Sequence, residues 1–235
     1  MTVKPTRATC ALLALGASSL AATPVFAAHL SNYTVDIVEL NDSGVSGTGI
    51  LTLDSDANTL TVDFAISGVE NSVDHGMHIH GRFDGSGNPL NSVVPTPADD
   101  ADGDGYVEVL EGLPQYGDIL LPFLPQSTDN GIIEYVDVFD LNDDDALMSP
   151  VSGENYDIAD LLPLDLREFV IHGMSVPAGA GAGSDGEVDG SAGYKALLPV
   201  GAGQIAAATP VPLPAPLALL AAVAAPLLAR HRGRG

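Results

Sequence analysis

GTGILTLDSDANTLTVDFAISGV, Gly47 to Val69, is the stretch that decides the fold. Ile50, Leu51 and Leu53 precede a DSDAN turn, and Leu60, Val62, Phe64 and Ile66 then recur at every second residue. Side chains alternate between the two faces of a strand, so this period buries one face and leaves the other wet. The segment therefore reads as a β-hairpin with one buried face. Upstream, TVDIVEL (Thr34 to Leu40) alternates in the same way. Downstream, further strand candidates are His78 to Phe83, Ile132 to Phe139, Glu168 to Met174 and Tyr194 to Val200. They are separated by turns rich in Gly, Asp and Pro and by long loops, notably Asp84 to Gly105 and Pro177 to Gly193. Outside the two termini no stretch keeps a helical period over about eleven residues. The expectation is an all-β fold, a Greek-key-like β-sandwich with long loops, flanked by an N-terminal signal helix and a short C-terminal hydrophobic helix.

The termini differ sharply from this middle. Residues 1–27 carry Lys4 and Arg7, an apolar run from Ala11 to Leu20 and then TPVFA, with small side chains near the end. That order is the pattern of a secretory signal peptide, with the cut expected after Ala27 and Ala28 as the runner-up. The only cysteine, Cys10, lies inside this segment, so the mature protein is expected to have no disulfide and no thiolate metal site. The β-sandwich is assigned to residues 28–205 and a separate C-terminal segment to 206–235. In that segment the motif Val211, Pro212, Leu213, Pro214, Ala215 precedes an apolar run that ends at Arg230, His231, Arg232 and Arg234. The run is shorter than the roughly 20 residues that span a bilayer comfortably. A marginal membrane anchor with a cytoplasmic basic tail is the plainer reading.

The chain has 235 residues, with 31 Asp+Glu against 8 Lys+Arg. All the acids fall between Asp36 and Asp189, where the basic residues are only Arg82 and Arg167, with Lys195 just beyond. A surface of this sign repels phosphate backbones and excludes nucleic acid as a partner, while favouring divalent cations.

Two patterns carry metal chemistry. His78 and His80 stand two apart on an expected strand, so both rings share one face, about 7 Å apart along the strand. A neighbouring strand could bring His172, in EFVIHG, to the same place, and His75 is a candidate fourth nitrogen. Imidazole suits copper and zinc. The competing reading is strand-end histidines satisfied by backbone carbonyls. The second pattern is DADGDGYVEVLE, Asp100 to Glu111. Its spacing is that of a twelve-residue EF-hand calcium loop. Asp100, Asp102 and Asp104 fall at positions 1, 3 and 5, Gly105 at the sharp turn, and the Tyr106 carbonyl at position 7. Glu108 falls at position 9 and Glu111 at position 12, where a bidentate carboxylate closes the shell. Pro95, Pro97 and Pro114 deny the loop long flanking helices. The competing reading is a solvated acidic loop.

Several resemblances sharpen these readings. HGMHIHG, the later LREFVIHGM and GYKALLPVGAGQI are similar to landmarks of copper/zinc superoxide dismutases. That resemblance implies copper on His78, His80 and His172. The chain departs from the family in having no histidine between His80 and His172, so a bridging histidine and a zinc site are not implied. The hairpin VSGTG…LTLD…LTV…SGV before the histidine motif resembles bacterial chordin-type (CHRD) domains. The VPLPA motif, apolar run and arginines resemble bacterial PEP-CTERM-type sorting signals. This last resemblance implies a segment held in the membrane, cut by a dedicated sorting protease and discarded.

Other catalytic signatures are missing from the sequence: there is no GxSxG elbow, no GxxxxGK phosphate loop and no HExxH pair. The leading expectation is an exported, non-catalytic, acidic β-sandwich, first membrane-anchored and then at the cell surface or in the extracellular matrix. Calcium is expected in its loop and copper at its histidines, with envelope or extracellular polymer components as partners. The alternative is a copper-only, superoxide dismutase-like oxidoreductase, against which the negative charge counts because superoxide is itself an anion.

Overall fold

The computed structural model describes residues 29–143 and 145–209. The signal peptide, the Val211–Ala215 motif and the apolar run after it lie outside the described residues. The hairpin forms as its alternation requires: β1 (Leu30–Glu39), β2 (Ser46–Asp54) and β3 (Thr59–Ser67) run antiparallel, β2 and β3 pairing without a break from Ser46↔Ser67 to Asp54↔Thr59. The turn between them closes on the Asp54 carboxylate, which accepts from the backbone N–H groups of Asp56 and Ala57 at 3.0 Å each. Leu60, Val62, Phe64 and Ile66 are all buried, as are Leu51 and Leu53, whereas Ile50 points to solvent.

Six more strands follow: β4 (Met77–Phe83), the two-residue β5 (Pro89–Leu90), β6 (Asp118–Pro122), β7 (Ile132–Asp140), β8 (Glu168–Val176) and β9 (Gly193–Ala207). Among the described residues they form one antiparallel sheet in the order β5-β4-β8-β9-β1-β2-β3-β7, with β6 on β4. The sheet folds over on itself in sandwich fashion, so strands far apart in that order meet face to face. Phe64 of β3 stacks on Phe169 of β8 with ring centroids 4.2 Å apart, and Phe123, just after β6, lies 5.1 Å from Phe139 of β7. Each such side chain contributes about 1.5–3 kcal/mol by leaving water. The 15-residue β9 joins the halves, pairing with β8 on one edge and with β1 on the other. It runs to Ala207, two residues past the expected boundary at residue 205.

Among the described residues two short α-helices interrupt the strands, α1 (Val109–Tyr116) and α2 (Ile158–Leu161). At eight residues α1 is too short to show a sustained period in sequence, and it takes over the end of the expected calcium loop. No helix among the described residues is long and apolar enough to cross a membrane.

Candidate metal centres

Alternation along β4 sends Met77 and Ile79 into the core and His78 and His80 to the opposite face. On β8 the same rule sends Phe169 and Ile171 inward. The pairing His78↔Val170 and His80↔Glu168 then sets the next outward residue, His172, beside the β4 pair. The His172 N–H donates to the Gly76 carbonyl at 2.9 Å, and the β8–β9 register shifts on both sides of His172, a bulge that re-aims its ring. The centroid of the His78 ring lies 5.5 Å from that of His80 and 5.2 Å from that of His172, and His80 and His172 are 6.0 Å apart. One nitrogen of each lies within 4.8 Å of the others.

Backbone carbonyls fix how the rings are turned. His80 Nδ1 lies 2.9 Å from the Gly117 carbonyl oxygen and His172 Nδ1 lies 2.6 Å from that of Leu197. A carbonyl only accepts, so in both rings Nδ1–H donates and Nε2 keeps its lone pair. Those Nε2 atoms, together with His78 Nδ1, are buried and have no hydrogen-bond partner. Burial pushes all three rings down, His78 to about 2, His80 to about 3 and His172 to about 4, with neighbouring imidazoles adding to the shift at His78 and His80. At neutral pH three uncharged imidazoles thus stand together, with unused Nε2 lone pairs on His80 and His172 and an unpartnered Nδ1 on His78. Buried polar atoms are ordinarily satisfied, and a metal ion is the partner such a set fits. Within this triad, the expectation of histidines satisfied by carbonyls holds only for the far nitrogen of His80 and of His172, which is how orienting contacts to a metal ligand act.

His75 does not join them. It is fully buried, with Nδ1 3.0 Å from the His172 carbonyl oxygen and Nε2 2.9 Å from that of Glu70. Both nitrogens face acceptors, which corrects its candidacy as a fourth ligand.

Helix α1, unseen in the sequence, completes the centre. Gly117 follows it with φ +85°, and a Cβ there would run into the Gly81 carbonyl, so only glycine lets that turn present its own carbonyl to His80. The Tyr116 ring packs edge-on against His80, centroids 4.8 Å apart. The three histidines open onto a cavity of about 170 Å³ walled by Val109, Leu113, Tyr116, Ile119, Val151 and Leu197.

The acidic loop is a second candidate. Asp100, Asp102 and Asp104 each turn one carboxylate oxygen to within 4.8 Å of the others. The Asp100 carboxylate accepts from the N–H groups of Gly103, Asp104 and Gly105 at 2.7, 3.2 and 2.9 Å, folding the loop around it. Gly105, at the expected sharp turn, has φ +94°. The two glutamates are engaged by backbone N–H groups instead. Glu111, in the first turn of α1, accepts from the N–H groups of Ala101, Asp102 and Glu108, and Glu108 turns away to the Val188 N–H. Neither belongs to the aspartate group, and the Tyr106 N–H is held by Asp104 at 2.8 Å. The Asp102 carboxyl is held above its ordinary value, first by desolvation and then by Asp104, Glu111 and Asp100.

Sequence reasoning missed Glu168. It lies opposite His80 on β8, fully buried, and neither oxygen has a hydrogen-bond partner. Burial raises its carboxyl to about 8. A single acid in LREFVIHGM gives no local sign of this; only the β4–β8 register does. In comparisons with known proteins, the chain matches no family model and no curated protein.

Proposed function

We propose that the chain is an exported, acidic cell-surface or matrix β-sandwich that binds a transition-metal ion at His78, His80 and His172 and calcium at its aspartate loop. The observation that carries this reading is the convergence of three buried, unpartnered imidazole nitrogens. Three neutral nitrogens with no carboxylate among them suit copper or zinc, and the resemblance of HGMHIHG and LREFVIHGM to dismutase landmarks favours copper. For the loop, hard carboxylate oxygens at alternate residues with a glycine turn suit calcium. Asp100, Asp102 and Asp104 supply the first ligands, and carbonyls or water complete a shell that Glu108 and Glu111 do not enter as they stand. Export rests on the signal-like N-terminus, and surface placement on the VPLPA segment and its sorting protease.

The chemistry of the histidine group does not require turnover. The carbonyls of Gly117 and Leu197 orient the rings and Tyr116 shields one of them, which suffices for holding an ion. A second reading, a copper-only dismutase-like oxidoreductase, is favoured by one observation: the triad faces a cavity rather than a fourth ligand.

Elemental analysis of protein purified without tags or chelators tests the proposal. About one copper per chain, lost in His80→Ala while the fold persists by circular dichroism, is the expected result. A folded protein that takes up neither copper nor zinc overturns it. Superoxide turnover by the copper-loaded form would replace the binding reading with the catalytic one.

A further inference from the structure

The cavity above the histidines has an unusual lining for a metal site in so acidic a protein. Val109, Leu113, Ile119, Val151 and Leu197 line it with Tyr116, and the apolar character continues to the rim. Leu113 is 39% exposed, Leu197 57% and Val151 69%. The one acid on the wall, Asp118, is already engaged, accepting from the hydroxyls of Ser149, Ser152 and Tyr156 and from the Ile119 N–H. The Tyr116 hydroxyl donates to the Val109 carbonyl, so it offers no hydrogen bond inward.

Among the described residues no cation compensates. Arg82 donates to the Asn91 carbonyl. Arg167 is fully buried over the Phe83 ring and donates to the carbonyls of Leu161 and Asp160. Lys195 is adjacent in sequence to the cavity wall, but Asp189, at 3.2 Å, neutralises it. An anion entering this cavity would give up its water for a wall without a positive charge, where the His78 ring is the one side chain with an unpartnered N–H, within a surface field that already repels it. A small uncharged molecule would lose almost nothing.

We infer that the open side of the histidine centre accepts small uncharged ligands of the dioxygen, nitric oxide and carbon monoxide class and excludes anions. The inference rests on the metal-binding reading above and adds the ligand class to it. The selecting residues are those at the rim, chiefly Val151 and Leu197, because they stand where an anion-guiding cation would have to be.

The test compares carbon monoxide binding to the Cu(I) form by infrared spectroscopy with azide titration of the Cu(II) form by its charge-transfer absorption. Wild type is set against Val151→Lys and Leu197→Lys at equal copper occupancy. Both positions are exposed, and two variants guard against one that folds poorly. Expected are stoichiometric carbon monoxide binding by wild type and azide affinity raised about tenfold or more by either lysine. Wild type that binds azide as tightly as the lysine variants overturns the inference, as does copper-loaded wild type that fails to bind carbon monoxide. Copper content, measured first in the same samples, separates the two levels. A chain that takes up neither copper nor zinc removes the metal reading and this inference together, whereas zinc uptake without copper, or copper uptake with ready azide binding, removes this inference alone.

Discussion

The His75 ring holds the backbone of His172: its Nδ1 lies 3.0 Å from the His172 carbonyl oxygen, across 97 residues of sequence. Its other nitrogen lies against the Glu70 carbonyl, so one buried side chain ties the approach to β4 to the strand that carries the third histidine. The nearest histidine in sequence to the HxH pair therefore supports the centre from outside it.

Removing it separates support from ligation. His75→Ala removes the ring that lies against the carbonyls of His172 and Glu70, one of which it satisfies through its single N–H, and opens a void, at about 2–4 kcal/mol in stability. The protein should still take up one equivalent of copper, at lower affinity because His172 is less firmly held. Chemical denaturation with a parallel copper titration checks both parts. Loss of stability without loss of stoichiometry is expected, and a folded variant that no longer takes up copper would return His75 to the ligand set.

In the aspartate loop the choice of residue decides what a mutation reports. Asp100 organises three backbone N–H groups, so Asp100→Ala should cost stability even in chelator. Asp102 is exposed and accepts only from the Asp104 N–H, at 3.2 Å, and the charges that act on it, Asp104, Glu111 and Asp100, are all acids. Calcium at about a hundred times its dissociation constant should stabilise wild type by roughly 2.7 kcal/mol. Asp102→Asn should abolish that gain and leave the melting temperature in chelator unchanged or slightly raised. Equal calcium-induced shifts in wild type and variant would mean that the loop does not bind the ion.

Glu168 gives the alkaline side of the stability curve a distinct origin. Its carboxyl is raised by burial to about 8, from 4.5 when exposed, so the folded chain keeps a proton that the unfolded chain releases. The stability linked to that proton is complete below about pH 4.5 and is lost as the pH rises through 8. The three histidines act in the opposite sense. Their folded values near 2, 3 and 4 lie below the exposed 6.5, so their contribution is full above pH 6.5 and is lost as the pH falls toward those values. Glu168→Gln should therefore raise the melting temperature at pH 9 and change it little at pH 4.5, measured in chelator. Wild-type and variant curves that stay parallel across that range would show that the carboxyl is not held neutral.

Much of this was fixed locally. The period of two in Leu60, Val62, Phe64 and Ile66 determined β3 and its buried face, because alternation is a property of an extended chain and needs no partner. The same rule placed His78 and His80 on one face, and the spacing of Asp100, Asp102, Asp104 and Gly105 determined a turn that gathers three carboxylates.

Tertiary structure decided the rest. That His172 reaches the β4 pair depends on the β4–β8 register and on the bulge beside it, neither of which is written in residues near either strand. That Nε2 of His80 and of His172 is the free nitrogen depends on the carbonyls of Gly117 and Leu197, 37 and 25 residues away in the chain. The exclusion of His75, the diversion of Glu108 and the burial of Glu168 likewise follow from which strands and loops pack against them. A strand's sequence sets which side of the sheet each side chain takes, but ligation requires three lone pairs to meet at one point, and only the pairing of distant strands brings them there.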